Sequence, residues 1–182
     1  MAKRALIIVD LQNEYEADGK LPLENLDHAV ANARRVLGAA RDSGEMVVHI
    51  KHETPGSHEA PFAVGTHGTQ IVEAVAPIEG ETVLTKHFPN SFRDTGLKEL
   101  LDEADVENVV IVGAMSHMCI DATARAACDF GYGVTVVGDA CATRALSADG
   151  VHVPAAQVHA AFMAALAFAY AKIVATSDLL SA

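Results

Sequence analysis

Residues 106–127 read VENVVIVGAMSHMCIDATARAA. The apolar run NVVIVG at 108–113 has the length and β-branched content of a strand covered on both faces, and the alanine-rich segment beyond it favours a helix. Cys119 lies between them, after a glycine-led turn. Free cysteines are most often buried and inert. This thiol is therefore either a small core residue or a nucleophile at the mouth of a sheet.

The same strand-then-helix grammar extends outward from that stretch. Strands are expected at 4–9 (RALIIV), 46–51 (MVVHIK), 82–86 (TVLTK), 133–138 (GVTVVG) and 172–176 (KIVAT). Leu26, Val30, Ala33, Leu37 and Ala40 recur every three or four residues, which predicts an amphipathic helix over 25–42 ended by Gly44. Further helical segments are expected at 69–75, around 96–103, after Cys119, and from near Pro154, whose missing N–H suits a first turn. Residues 52–68, with two prolines, three glycines and several histidines, read as an irregular surface loop, and 139–153 as another. The alternation predicts an α/β fold: a three-layer α/β/α sandwich with a mainly parallel six-stranded sheet, in a single domain over 1–182.

Composition bounds the function. With 51% hydrophobic and 20% charged residues, 182 residues suffice for one substantial core. A net charge of −11 disfavours broad attraction to nucleic acid or anionic membrane. Three cysteines, at 119, 128 and 141, make no disulfide framework and suit a reducing compartment. The opening MAKRALIIVDLQNEY has only five apolar residues after its basic pair, too few for a secretory signal, so a cytoplasmic location is expected. The uncharged run AAFMAALAFAYA at 160–171 is too short to cross a bilayer as a helix, which leaves a buried helix or an oligomer face.

Chemistry converges on three residues. In a doubly wound sheet, reactive groups collect beyond the carboxyl ends of the strands. Asp10 follows the first strand, Lys86 ends the third, and Cys119 opens the helix after the fourth. Each has an ordinary structural role open to it: a turn cap, a solvated strand end, a packed thiol. Together they make a working set. A thiolate favoured by a helix N-terminus and an ammonium can attack a carbonyl, while a carboxyl group moves protons to the departing nitrogen and from the water that follows.

These segments resemble the isochorismatase-like cysteine hydrolase superfamily, which includes nicotinamidases and other amidases. IIVDLQNEY resembles its aspartate motif, TKHFPNSF its lysine segment and VGAMSHMCIDATARAA its nucleophile segment, so the likeness runs over nearly the whole chain. It implies a catalytic triad of Asp10, Lys86 and Cys119. It also implies a cis Ala114–Met115 bond and an oxyanion hole formed by the amides of Met115 and Cys119. A homodimer or larger homo-oligomer is implied too.

Gln12, Tyr15, Phe88, Phe92 and His117 flank the inferred triad and are candidates for the substrate wall, each with simple packing as the alternative. A metal centre is not expected. His49, His52, Glu53 and His58 offer suitable atoms, but metal-containing relatives use Asp-x-His where Lys51 and Glu53 stand here, and a protonated lysine is a poor ligand. The expected activity is cofactor-independent hydrolysis of a C–N bond in a small amide, ureido or lactam substrate through a thioester. The alternatives are isochorismatase-type vinyl ether hydrolysis, non-catalytic binding of a small molecule, and redox sensing by the thiol.

Overall fold

The computed structural model describes residues 3–56 and 59–181. Six strands form one all-parallel sheet in the order β3-β2-β1-β4-β5-β8: β1 (Arg4–Val9), β2 (Met46–His52), β3 (Thr82–Lys86), β4 (Asn108–Ala114), β5 (Gly133–Ala142) and β8 (Lys172–Val174). The chain winds outward from β1 in one direction and from β4 in the other. The switch point therefore falls between β1 and β4, where the loops after those strands diverge and leave a crevice.

Burial on both faces explains why β1 is apolar without alternation. Ala5, Ile7 and Val9 pack with Leu97 and Leu101 of α2 (Leu97–Glu103), Ala124 and Ala127 of α3 (Asp121–Asp129) and Leu166 of α4 (Ala155–Ala169). Leu6 and Ile8 pack on the opposite side with Ala33, Val36 and Leu37 of α1 (Leu26–Asp42), beside which α5 (Thr176–Leu180) also lies. These strand residues are at most 1% exposed, so each aliphatic side chain contributes roughly 1.5–3 kcal/mol of burial. The outcome is the expected α/β/α sandwich.

Local departures from the sequence reading have physical causes. The segment 69–75 is not a continuous helix but two 3-10 turns, His67–Thr69 and Glu73–Val75. The final strand stops at Val174 and a short helix takes over at Thr176, whose N–H and hydroxyl both donate to Asp139 Oδ1. Residues 146–153 are an antiparallel hairpin, β6 (Leu146–Ala148) with β7 (Val151–Val153). Asp149 and Gly150 at its tip both have positive φ, the requirement of a tight hairpin turn that an Asp-Gly pair meets.

Candidate active site

Asp10, Lys86 and Cys119 meet at the carboxyl end of the sheet. β1 ends as Asp10 enters the left-handed region (φ 52), and its N–H still bonds Ile50 O at 3.0 Å, tying the turn to β2. The penultimate residue of β4 is Gly113 (φ 133), where any Cβ would meet Val9 O at 1.9 Å. Only glycine lets the two central strands approach this closely just before the nucleophile segment. The Ala114–Met115 bond is cis, and Cys119 then sits in a single π-helical turn, Ser116–Ile120, that runs into α3.

Lys86 Nζ stands at the centre, 2.7 Å from Asp10 Oδ2, 3.2 Å from Cys119 Sγ, 3.2 Å from His52 Nδ1 and 3.1 Å from Phe88 O. Asp10 and Lys86 are fully buried and Cys119 is 6% exposed. Burial alone would lower the proton affinity of Lys86; the charge of Asp10, chief among the opposing influences, outweighs it and holds the ammonium. Cys119 moves the other way from the sequence expectation. Burial, then the charge of Asp10, push its thiol up, and Lys86 only partly opposes them. The resting site is therefore an ammonium–carboxylate pair beside a neutral thiol, because a second anion in so dry a place costs more than one cation returns.

The flanking residues divide. Tyr15 lies within the influence of the site: burial raises its ionisation well above the usual range, with Asp10 and Cys119 adding to it, and its ring meets Phe62 edge-on at 5.1 Å. Phe88 is half-buried beneath the Arg93 guanidinium, 3.6 Å from its ring centre, and touches the triad through its carbonyl. His117 is half-buried, with Nδ1 2.6 Å from Thr143 Oγ1 and its ring edge-on to Phe162.

Gln12 and Phe92 are corrections to the substrate wall. Both ends of the Gln12 amide are consumed by main chain: Nε2 donates to His52 O and Thr69 O at 2.9 Å, and Oε1 accepts from His52 N at 2.8 Å. Gln12 thus clamps β2 to the loop that follows it. Phe92 points into the core against Tyr132 and Phe130, since the loop after Lys86 is turned inward by Ser91, whose N–H and hydroxyl bond Thr123 of α3.

Two site residues escape the sequence reading. His52 is considered there only as a metal donor, yet its register opposite Lys86 in the parallel β2–β3 pair puts both side chains on one side of the sheet. That register was the available signal. Phe62, with φ 58, is buried against Tyr15 and His52, and nothing local in sequence marks a loop phenylalanine for this position.

The proposed metal donors are scattered. Among the described residues, no three His, Cys, Asp or Glu side chains are gathered as ligands. His49 bonds Glu81, Glu53 pairs with Lys51, His52 faces Lys86, and His58 lies outside the described residues.

A doubly wound sheet with a buried cysteine, lysine and aspartate at its switch point defines a hydrolase of the cysteine-nucleophile class. The chain belongs to the isochorismatase family: the isochorismatase domain model matches residues 4–178. An uncharacterized isochorismatase family protein of Bacillus subtilis, YddQ, is 46% identical over 97% of this chain and 98% of its own length. A crystal structure of a putative isochorismatase hydrolase from Oleispira antarctica superposes with a TM-score of 0.95 at 48% identity, covering 99% of this chain and 97% of that one. A further relative, the maleamate amidohydrolase of Pseudomonas putida, is 32% identical over 78% of this chain and 73% of its own.

Proposed function

We propose that the chain hydrolyses the C–N bond of a small amide, ureido or lactam compound through a thioester on Cys119, with Asp10, Lys86 and Cys119 as its catalytic residues. The observation that carries this reading is the single ammonium, Lys86 Nζ, within reach of both Asp10 Oδ2 and Cys119 Sγ, with all three side chains buried. The relative named for maleamate supports amide chemistry in this family.

The neutral thiol sets the order of steps. Asp10, whose charge and hydrogen bonding already act on the Cys119 thiol, takes the thiol proton as sulfur attacks the carbonyl carbon. Lys86 stays charged and stabilises the sulfur as it becomes anionic. The oxyanion is received by the amides of Met115 and Cys119. The Met115 N–H has no hydrogen-bond partner among the described residues, so it is free for this duty. Protonated Asp10 then delivers its proton to the nitrogen, the C–N bond breaks, and ammonia or an amine departs. Water loses a proton to Asp10, adds to the thioester, and the acid leaves as the thiol is re-formed.

Intact-mass spectrometry during turnover of a small amide should record an acyl adduct on Cys119. Full activity in Cys119→Ala, with no adduct in the unaltered protein, would sink the mechanism.

The partner expected for this chain is a second copy. α4 turns Val158, Met163 and Leu166 to the core but leaves Phe168 92% exposed, next to surface alanines 160, 161, 164 and 165. An apolar stripe of this kind suits a homodimer or larger homo-oligomer. Light scattering should give a mass above the 19.1 kDa of one chain, reduced by Phe168→Asp. A monomer in the unaltered protein rejects the contact. Among the described residues no helix is long and apolar enough to cross a membrane.

A further inference from the structure

His52 is a titratable neighbour of Lys86 that the proposed steps do not use. Its main chain is gripped at both N–H and C=O by Gln12, and its ring lies edge-on to Phe62 at 5.2 Å, so the imidazole is held in place from two directions. Its Nδ1 is 3.2 Å from Lys86 Nζ. An ammonium has hydrogens to give and no lone pair to offer. Nδ1 must therefore be the acceptor, which puts the ring proton on Nε2. Burial, and then the charge of Lys86, keep the ring from taking a second proton, Asp10 opposing more weakly and His87 adding to the effect.

The opposite edge of the ring is unspent. Nε2 has no hydrogen-bond partner among the described residues, and His52 is only half-buried. A fixed N–H beside a catalytic lysine, with no acceptor among the described residues, is a donor waiting for a ligand atom.

We propose that His52 is a specificity residue that aligns Lys86 through Nδ1 and donates from Nε2–H to a second oxygen of the substrate, beyond the scissile carbonyl. The substrate class is thereby narrowed to small amides carrying a distal carbonyl or carboxylate oxygen. This rests on the amide-hydrolase reading above. An amide lacking that oxygen leaves the donor unpaired on binding, and such a loss discriminates more strongly than a missing methyl group.

The test uses two probes of one carbon skeleton: maleamate, with a distal carboxylate, and cis-2-butenamide, with a methyl group in its place. The unaltered protein should favour maleamate by about ten- to hundredfold in kcat/KM, a hydrogen bond to a charged acceptor being worth that ratio. His52→Asn, which can present an acceptor towards Lys86 but whose amide nitrogen stops short of the outer position, should bring the ratio close to one, mainly through a higher KM for maleamate. His52→Gln, whose amide nitrogen reaches the outer position, should restore much of the ratio, and His52→Phe should not. A purely structural role would lower activity on both amides alike and leave the ratio alone. Equal kcat/KM for the two amides in the unaltered protein, or a ratio that survives in both His52→Asn and His52→Phe, overturns the proposal. Should neither amide be turned over, nitrogen-15 histidine spectra decide: the Nε2–H tautomer at His52 supports it, the Nδ1–H tautomer refutes it. If Cys119→Ala retains amide turnover, the thioester reading fails separately, without altering the tautomer.

Discussion

Two carboxylates beside β2, Asp10 fully buried and Glu81 half-buried, are treated in opposite ways. Glu81 is saturated: Arg41 clasps both oxygens at 2.7 and 2.9 Å, His49 Nε2 and Ile78 N–H reach Oε2 at 2.9 and 3.0 Å, and Arg41 also bonds Ala76 O. Asp10 has Lys86 Nζ 2.7 Å from Oδ2 and the Cys119 thiol as its other hydrogen-bonding neighbour. The first is a clamp that joins α1, β2 and the 76–81 segment. The second faces the thiol that must lose its proton, as a base needs. Buried charge by itself does not mark a reactive group in this molecule; a thiol among its partners does.

The sharpest break in this comparison comes from the nucleophile. Cys119→Ala should lower kcat by more than about a thousandfold, measured on a responsive amide, because no other group can form the thioester. Asp10→Asn is expected next, with kcat down about 10²–10⁴-fold at unchanged circular dichroism, since an amide cannot accept the thiol proton. Substantial turnover in Asp10→Asn would mean that the Asp10 carboxylate is not the base.

The saturated carboxylate should answer in stability instead. Glu81→Gln is expected to cost about 2 kcal/mol in urea unfolding at neutral pH, through weakened charge-assisted bonds, with kcat per folded molecule close to that of the parent. The bonds from Arg41, ahead of the others, hold Glu81 down to about 2 from a usual 4.5. The sign follows: the folded state binds this proton less readily than the unfolded one, so the stabilisation is complete above pH 4.5 and is lost as pH falls towards 2. His49, held neutral chiefly by burial, works in the same direction from its usual 6.5 downward. Acid unfolding of Glu81→Gln should accordingly show a shallower slope below pH 4.5; an identical slope would remove Glu81 from the account.

Much of this was legible in sequence because the signals were local. Doubly covered strands announce themselves as unbroken apolar runs, as in RALIIV and NVVIVG, and α1 by its three-and-four spacing. Asp10, Lys86 and Cys119 come together because each stands at or beyond the carboxyl end of its strand, at the same edge of the sheet. What was not legible depended on direction. Gln12 and Tyr15 are three residues apart after one left-handed turn at Asp10, yet one is used up by backbone and the other flanks the site. Phe88 and Phe92 part because Thr123, distant in sequence, pulls Ser91 inward. The charge state of Cys119 turned on how dry the site is, a property of the whole fold.

Lys86 Nζ carries three hydrogens and has four acceptor atoms within 3.2 Å. One neighbour is therefore always underserved, and rotation about a single C–N bond decides which. As sulfur gains charge it can draw a hydrogen away from the Phe88 carbonyl or the His52 ring with every heavy atom standing still. Reorganisation during the reaction then amounts to the turning of an ammonium group, which asks little of the surrounding protein.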